Sequence, residues 1–303
     1  MLIYHLRFCW WNTGLSPAVK SKSSTVDDAQ YEKLTTHIVE LILRKSCDLI
    51  ALCELSSDDV LHITRRLRDI FPHYRVLDLT NKIQRTRYDV AVIYNTAKLG
   101  VEFQHDLSKI ITGNTVKAGQ LIRVDSIHDK KPIYVYLCHW ASRLRSEGKE
   151  KREASARLVF ESSQEYIRND DYVVVMGDFN DNPYDDSLTT HLNATRCLDA
   201  VQKYPTDFFY NPFWRTMVSE HLYSHSEETK SYRSGTHRFK QFAGTMWHSY
   251  DQMVFSGNFL KEGYWHLNEP RTHVIYDDSL FADYCSKLCF IDHLPIICEI
   301  TRP

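Results

Sequence analysis

Five apolar runs in this sequence stop at an amide, a carboxylate or an imidazole. Asn12 follows RFCWW, Glu54 follows DLIALC, His139 follows IYVYLC, Asp178 and Asn180 follow YVVVMG, and Asp292 and His293 stand just before LPIICEI. A single residue of this kind is ordinarily a cap or a turn former. Five instances together point to a site, because a rigid sheet whose strands end in polar groups aims them into one crevice. Their chemistry agrees: carboxylates and an amide are the oxygen ligands of a hard cation such as Mg²⁺ or Mn²⁺. Neutral amides and imidazoles suit phosphate oxygens and a leaving alkoxide.

The elements that must carry these groups alternate between strands and helices. Residues 2–10 read as a strand, and Tyr31, Leu34, Ile38, Leu41 and Ile42 recur at helical spacing over about 30–46. A short apolar strand covers 47–55. Ser56 with Asp59 three residues on marks a helix start running to about residue 70. Strand-like runs follow near 74–79, 88–95, 99–106, 119–127 and 132–139. A charged helix over about 149–168 precedes the buried strand 172–177, and 250–256 and 295–301 are two further strands. This mixing, with no repeat and no low-complexity tract, predicts one α/β domain over 1–303.

Composition excludes several classes. Hydrophobic residues at 43% and charged residues at 25% are globular values, not those of a disordered, collagen-like or coiled-coil chain. With 37 Lys+Arg against 39 Asp+Glu, the net charge of −2 supplies no global field for holding polyanions. No apolar run approaches the roughly 18 residues that span a bilayer, so a membrane is not an expected partner. The eight cysteines lie largely in apolar runs, unlike a secreted disulfide scaffold. The start of the chain reads as a strand rather than a leader. The expectation is a reduced, cytoplasmic protein.

WWNTG at 10–14, CEL at 53–55, CHW at 138–140, GDFND at 177–181, YDQMVFS at 250–256 and IDHLPI at 291–296 resemble, in order, the motifs of the endonuclease/exonuclease/phosphatase superfamily. The YDQMVFS form is most similar to bacterial members. The resemblance implies the deoxyribonuclease-I-like fold, a four-layer α/β/β/α sandwich of two packed, mainly antiparallel sheets, and metal-dependent phosphoester hydrolysis. It implies Glu54, Asn12 and Asp292 at a Mg²⁺ or Mn²⁺ site. Asp178 would orient or deprotonate the attacking water, with Asn180 holding the water or a phosphoryl oxygen. His293, oriented by Asp251, would bond the scissile phosphate, and His139 the phosphate or leaving group.

Residues 203–247 stand apart, with eleven aromatics and little periodicity. They read as a loop insertion that either packs over the core or faces substrate. Arg233, Arg238 and Lys240 there, and Arg143 after the CHW motif, are candidate phosphate contacts. A nuclease acting on a DNA or RNA phosphodiester is the first expectation. A phosphatase or phosphodiesterase for a small phosphorylated molecule, a nucleotide or lipid head group, is the alternative.

Overall fold

Strand alternation explains how two cores form. In Tyr172–Asp178, Val174 and Met176 point into one apolar cluster and Val173 and Val175 into another, as a strand buried on both faces requires. The first cluster fills the space between two sheets, and the second lies between the outer sheet face and the helix Gly148–Arg168. The computed structural model describes residues 4–17, 26–83, 86–111, 113–128, 131–143, 147–218, 225, 233–239 and 244–302.

One sheet orders its strands His266–Leu267, Ile296–Arg302, Tyr4–Asn12, Leu49–Cys53, Ala91–Asn95 and Tyr74–Asp78, with His273–Val274 also on Ile296–Arg302. The other orders Ala194–Thr195, Phe209–Tyr210, Asp251–Ser256, Tyr172–Asp178, Ile133–His139, Asn114–Ser126 and Leu99–Ile111. Most pairings are antiparallel; Tyr4–Asn12 with Leu49–Cys53, Ile133–His139 with Tyr172–Asp178 and Ala194–Thr195 with Phe209–Tyr210 are parallel. Helices Asp28–Leu43 and Ser57–Arg68 cover the first sheet, giving the helix–sheet–sheet–helix order expected. Ser56 and Asp59 form a reciprocal cap, each side chain accepting from the other's backbone N–H at 3.2 and 2.6 Å.

Several boundaries differ from the sequence reading, among them the expected strand 88–95, which begins at Ala91. The first strand continues to Asn12, because its parallel ladder with Leu49–Cys53 extends to the Asn12–Cys53 pair. The expected strands 99–106 and 119–127 are longer, Leu99–Ile111 and Asn114–Ser126, joined at Gly113 with φ +79°. Their extension interleaves polar residues (Ser108, Lys109, Thr115, Lys117) with apolar ones, so it lacks a continuous apolar signature. Helix Asp278–Cys285 has only eight residues and too few turns to display a period.

Residues 203–247 serve both expected ends. Phe209 and Phe213 are fully buried in the core clusters. His237–Arg238 and Trp247–His248 form a separate two-stranded ribbon. Among the described residues no helix is long and apolar enough to cross a membrane. All eight cysteines are free thiols.

Candidate active site

Register brings the second sheet's polar residues into one row. Asp178 is the parallel partner of His139 and the antiparallel partner of Asp251. The first sheet meets this row through Asn12, whose Nδ2 donates to Asp178 Oδ2 at 3.0 Å, while Gly14 N donates to Asn12 Oδ1 at 3.1 Å. Two indoles complete the junction: Trp10 Nε1 donates to Asp251 Oδ1 and Trp11 Nε1 to the His293 carbonyl, each at 3.0 Å. Gly14, at φ +64°, packs so closely that a Cβ there would lie 2.8 Å from Asp292 Oδ1. The glycine of WWNTG is thus required by a left-handed turn against the site.

Two Asp–His pairs face the crevice. Asp251 Oδ2 accepts from His293 Nδ1 at 2.7 Å, and His293 Nε2 stands 3.9 Å from Asp178 Oδ2. Burial disfavours the imidazolium, but Asp251 and then Asp178 outweigh it and hold His293 well above its ordinary value. His139 Nδ1 donates to Asp89 Oδ2 at 2.9 Å, and Asp89 Oδ1 accepts from Lys117 Nζ at 3.2 Å. Here too burial opposes the charge, and Asp89 overcomes it to raise the His139 pKa. Asp89 is itself held far below the usual carboxylate range, burial being outweighed by His139 and Lys117.

Glu54 Oε1 stands 3.9 Å from His139 Nε2, too far for a hydrogen bond. Its backbone is left-handed at φ +59°, an uncommon conformation for a glutamate. Burial raises its pKa, and the Asp292 charge raises it further against the pull of His139. Asp292, solvent-exposed at its residue surface, is raised by desolvation of its carboxylate and by Asp178 and Asp251, with His293 opposing. Asn180 is also left-handed, φ +52°; its N donates to Asp178 Oδ1 at 2.9 Å and its Nδ2 to the Trp140 carbonyl at 3.2 Å.

The four candidate phosphate contacts are placed differently. Arg143 is engaged by Asp181 Oδ1 at 2.7 Å, by Asp185 and by the Asn180 carbonyl, so it braces the GDFND turn. Arg233 lies over the Phe281 ring at 4.2 Å and donates to the Tyr276 carbonyl. Arg238 lies over Trp247 at 5.9 Å. None of these contacts is with the Asp178 carboxylate. Lys240 falls outside the described residues.

Sequence reasoning did not place Asp89, Lys117 or His237 at the site. Asp89 carried the same signal as Glu54, a carboxylate inside an apolar run (RYDVAVIY). His237 Nδ1 donates to the Asp292 carbonyl at 2.9 Å, and its ring lies 4.4 Å from that of His293. Burial and the His293 charge push its pKa down to about 3. Among the described residues, two sets of three side chains have ligand atoms within 4.8 Å of one another: His237, Asp292 and His293, and Asp178, Asp251 and His293. Glu54 and Asn12 are in neither set.

The sequence matches the Endonuclease/Exonuclease/phosphatase family over residues 15–287. The chain belongs to that family. No curated protein matches it by sequence. Among solved structures, the human Nocturnin catalytic domain with bound sulfate superposes at TM-score 0.60 and 13% identity, covering 99% of this chain and 95% of that one. A family protein from Bacteroides thetaiotaomicron gives 0.57 at 14% identity over the whole of both chains. D. rerio TDP2 complexed with a single-stranded DNA product gives 0.57 at 13%, covering 98% of each. The fold is therefore the deoxyribonuclease-I-like one, and endonuclease/exonuclease/phosphatase enzymes are divalent-metal-dependent phosphoester hydrolases.

Proposed function

We propose that this chain is a divalent-metal-dependent phosphodiesterase, acting in the cytoplasm on DNA or RNA as one 303-residue unit. The observation carrying this reading is the convergence on Asp178: Asn12 holds Oδ2 at 3.0 Å, Asn180 N holds Oδ1 at 2.9 Å, and His293 Nε2 approaches to 3.9 Å. Two donors leave a lone pair on each oxygen for a water. Asp178 takes the proton as the water oxygen attacks phosphorus and the ester P–O bond breaks. His293, charged and oriented by Asp251, donates Nε2–H to a phosphate oxygen. His139, oriented by Asp89, faces the same space from the parallel strand and serves phosphate or leaving oxygen. Asn180 Oδ1 holds the water or a phosphoryl oxygen.

The donor set fits a hard cation. Glu54 and Asp292 are carboxylates whose pKa values are both raised, Glu54 in part by the charge of Asp292, a repulsion that a dication removes. We assign Glu54 and Asp292 to Mg²⁺ or Mn²⁺, which would neutralise phosphate charge, with the Asn12 amide, bonded to Asp178, beside the cation rather than on it. Against a nucleic-acid groove stand the net charge of −2 and the engagement of Arg143 and Arg233; they favour the second reading, a small phosphoester.

The deciding experiment is nicking of supercoiled plasmid and cleavage of short oligonucleotides with Mg²⁺ or Mn²⁺, beside EDTA and Asp178→Ala. Metal-dependent cleavage lost in Asp178→Ala is expected. Hydrolysis of small phosphodiesters alone would replace the first reading with the second.

A further inference from the structure

A second concavity adjoins the carboxylates. It encloses about 550 Å³ between the ribbon that carries Arg238 and Trp247 and the helix that carries Phe281 and Tyr284, within the range of small-molecule sites. It borders the active site along two lines. Asn182, two residues beyond Asn180, lines it. His248, also in its wall, is the cross-strand partner of His237, whose ring lies against His293.

Its lining has a definite chemistry. The Trp247 and Tyr284 rings lie 5.9 Å apart at 23°, and Tyr284 and Phe281 5.9 Å apart at 22°. This continuous aromatic wall has the Arg238 guanidinium over Trp247. Within it, Tyr284 is 3% exposed and its hydroxyl has no hydrogen-bond partner among the described residues. An unsatisfied buried hydroxyl is costly and calls for an explanation. A ligand that accepts a hydrogen bond supplies one. Flat apolar walls, one buried donor and a cation beside an aromatic ring suit a planar heterocycle with acceptor atoms.

We propose that this cavity receives the nucleobase flanking the scissile phosphate, with the Tyr284 hydroxyl donating to a ring acceptor and the Trp247 and Phe281 rings forming the wall. The inference rests on the nucleotide reading of the active site above. Its test uses binding in place of turnover. Adenosine and cytidine 5′-monophosphates and ribose 5-phosphate are titrated into the full chain in EDTA by calorimetry. At least one nucleotide is expected to bind tenfold or more tighter than ribose 5-phosphate. Tyr284→Phe should weaken it about fivefold, the loss of one hydrogen bond, with an unchanged or higher melting temperature because an unpartnered hydroxyl has been removed. Trp247→Ala should weaken it further.

Equal affinity for all three ligands, or nucleotide binding untouched in Tyr284→Phe, overturns the proposal. Base-dependent binding in a chain that cleaves no phosphodiester would keep the subsite and remove the functional reading. Cleavage without base-dependent binding would do the reverse.

Discussion

Asp251 is engaged at both oxygens, by the Trp10 indole on one side and the His293 imidazole on the other. The aspartate is therefore fixed, and so is the ring it orients. Because Asp251 is the foremost group raising the His293 pKa against burial, Asp251→Asn should lower that pKa. If the proton on His293 is needed for turnover, the alkaline limb of kcat/KM against pH moves to lower pH in the variant, and kcat falls roughly a hundredfold or more. A limb left in place would separate His293 from the profile. The same raised pKa stabilises the fold fully below about pH 6.5, the unfolded value, and this contribution is lost as pH rises through the folded value. Glu54 offers a second test. Its left-handed backbone and its buried carboxylate with raised pKa both work against stability. Glu54→Gly should therefore abolish turnover while leaving the melting temperature equal or higher. A clear drop in melting temperature would make Glu54 a structural residue.

At the level of elements, the site depends on how closely neighbouring strands approach. Gly177 precedes Asp178 and pairs with Cys138; a Cβ there would lie 2.0 Å from the Cys138 carbonyl oxygen. A backbone atom cannot step aside as a side chain does, so Gly177→Ala must push Ile133–His139 away from Tyr172–Asp178. We expect a loss of about 3 kcal/mol, seen as a melting temperature lower by roughly 5–10 °C, together with reduced activity because His139 and Asp178 are register partners. An unchanged melting curve would deny the close approach. The positions of Glu54, His139, Asp178 and His293 were legible in the sequence because each adjoins a run buried on both faces, and such runs are continuous and apolar. Asp89 escaped because it lies in the gap between Thr86–Tyr88 and Ala91–Asn95, where an acid looks like a turn former. His237 escaped because Thr236 is held from both sides, its Oγ1 accepting from Asp251 N and its carbonyl from Leu294 N. Nothing periodic in its own segment records those distant contacts.

Over the whole molecule the two sheets divide the site between them. Glu54 and Asp292 border strands of the first sheet, whereas His139, Asp178 and Asp251 end or begin strands of the second. Among the described residues, hydrogen bonds between the halves include Asn12 to Asp178, Trp10 to Asp251, His293 to Asp251 and His139 to Asp89. If the first sheet holds the cation and the second performs the proton transfer, metal binding and turnover can be separated by mutation. A ligand that binds only the native state at a hundred times its Kd stabilises it by about 2.7 kcal/mol. Saturating Mn²⁺ should thus raise the melting temperature by several degrees over EDTA, and Glu54→Ala or Asp292→Ala should remove that rise along with activity. Asn12→Ala distinguishes the two halves. Asn12 Nδ2 is committed to Asp178 and Oδ1 already accepts from Gly14 N, so its loss should misalign the base while leaving most of the Mn²⁺-induced rise intact. If Asn12→Ala instead erased the rise as completely as Glu54→Ala, the amide would be a metal ligand and the cation would bridge the two sheets rather than belong to one.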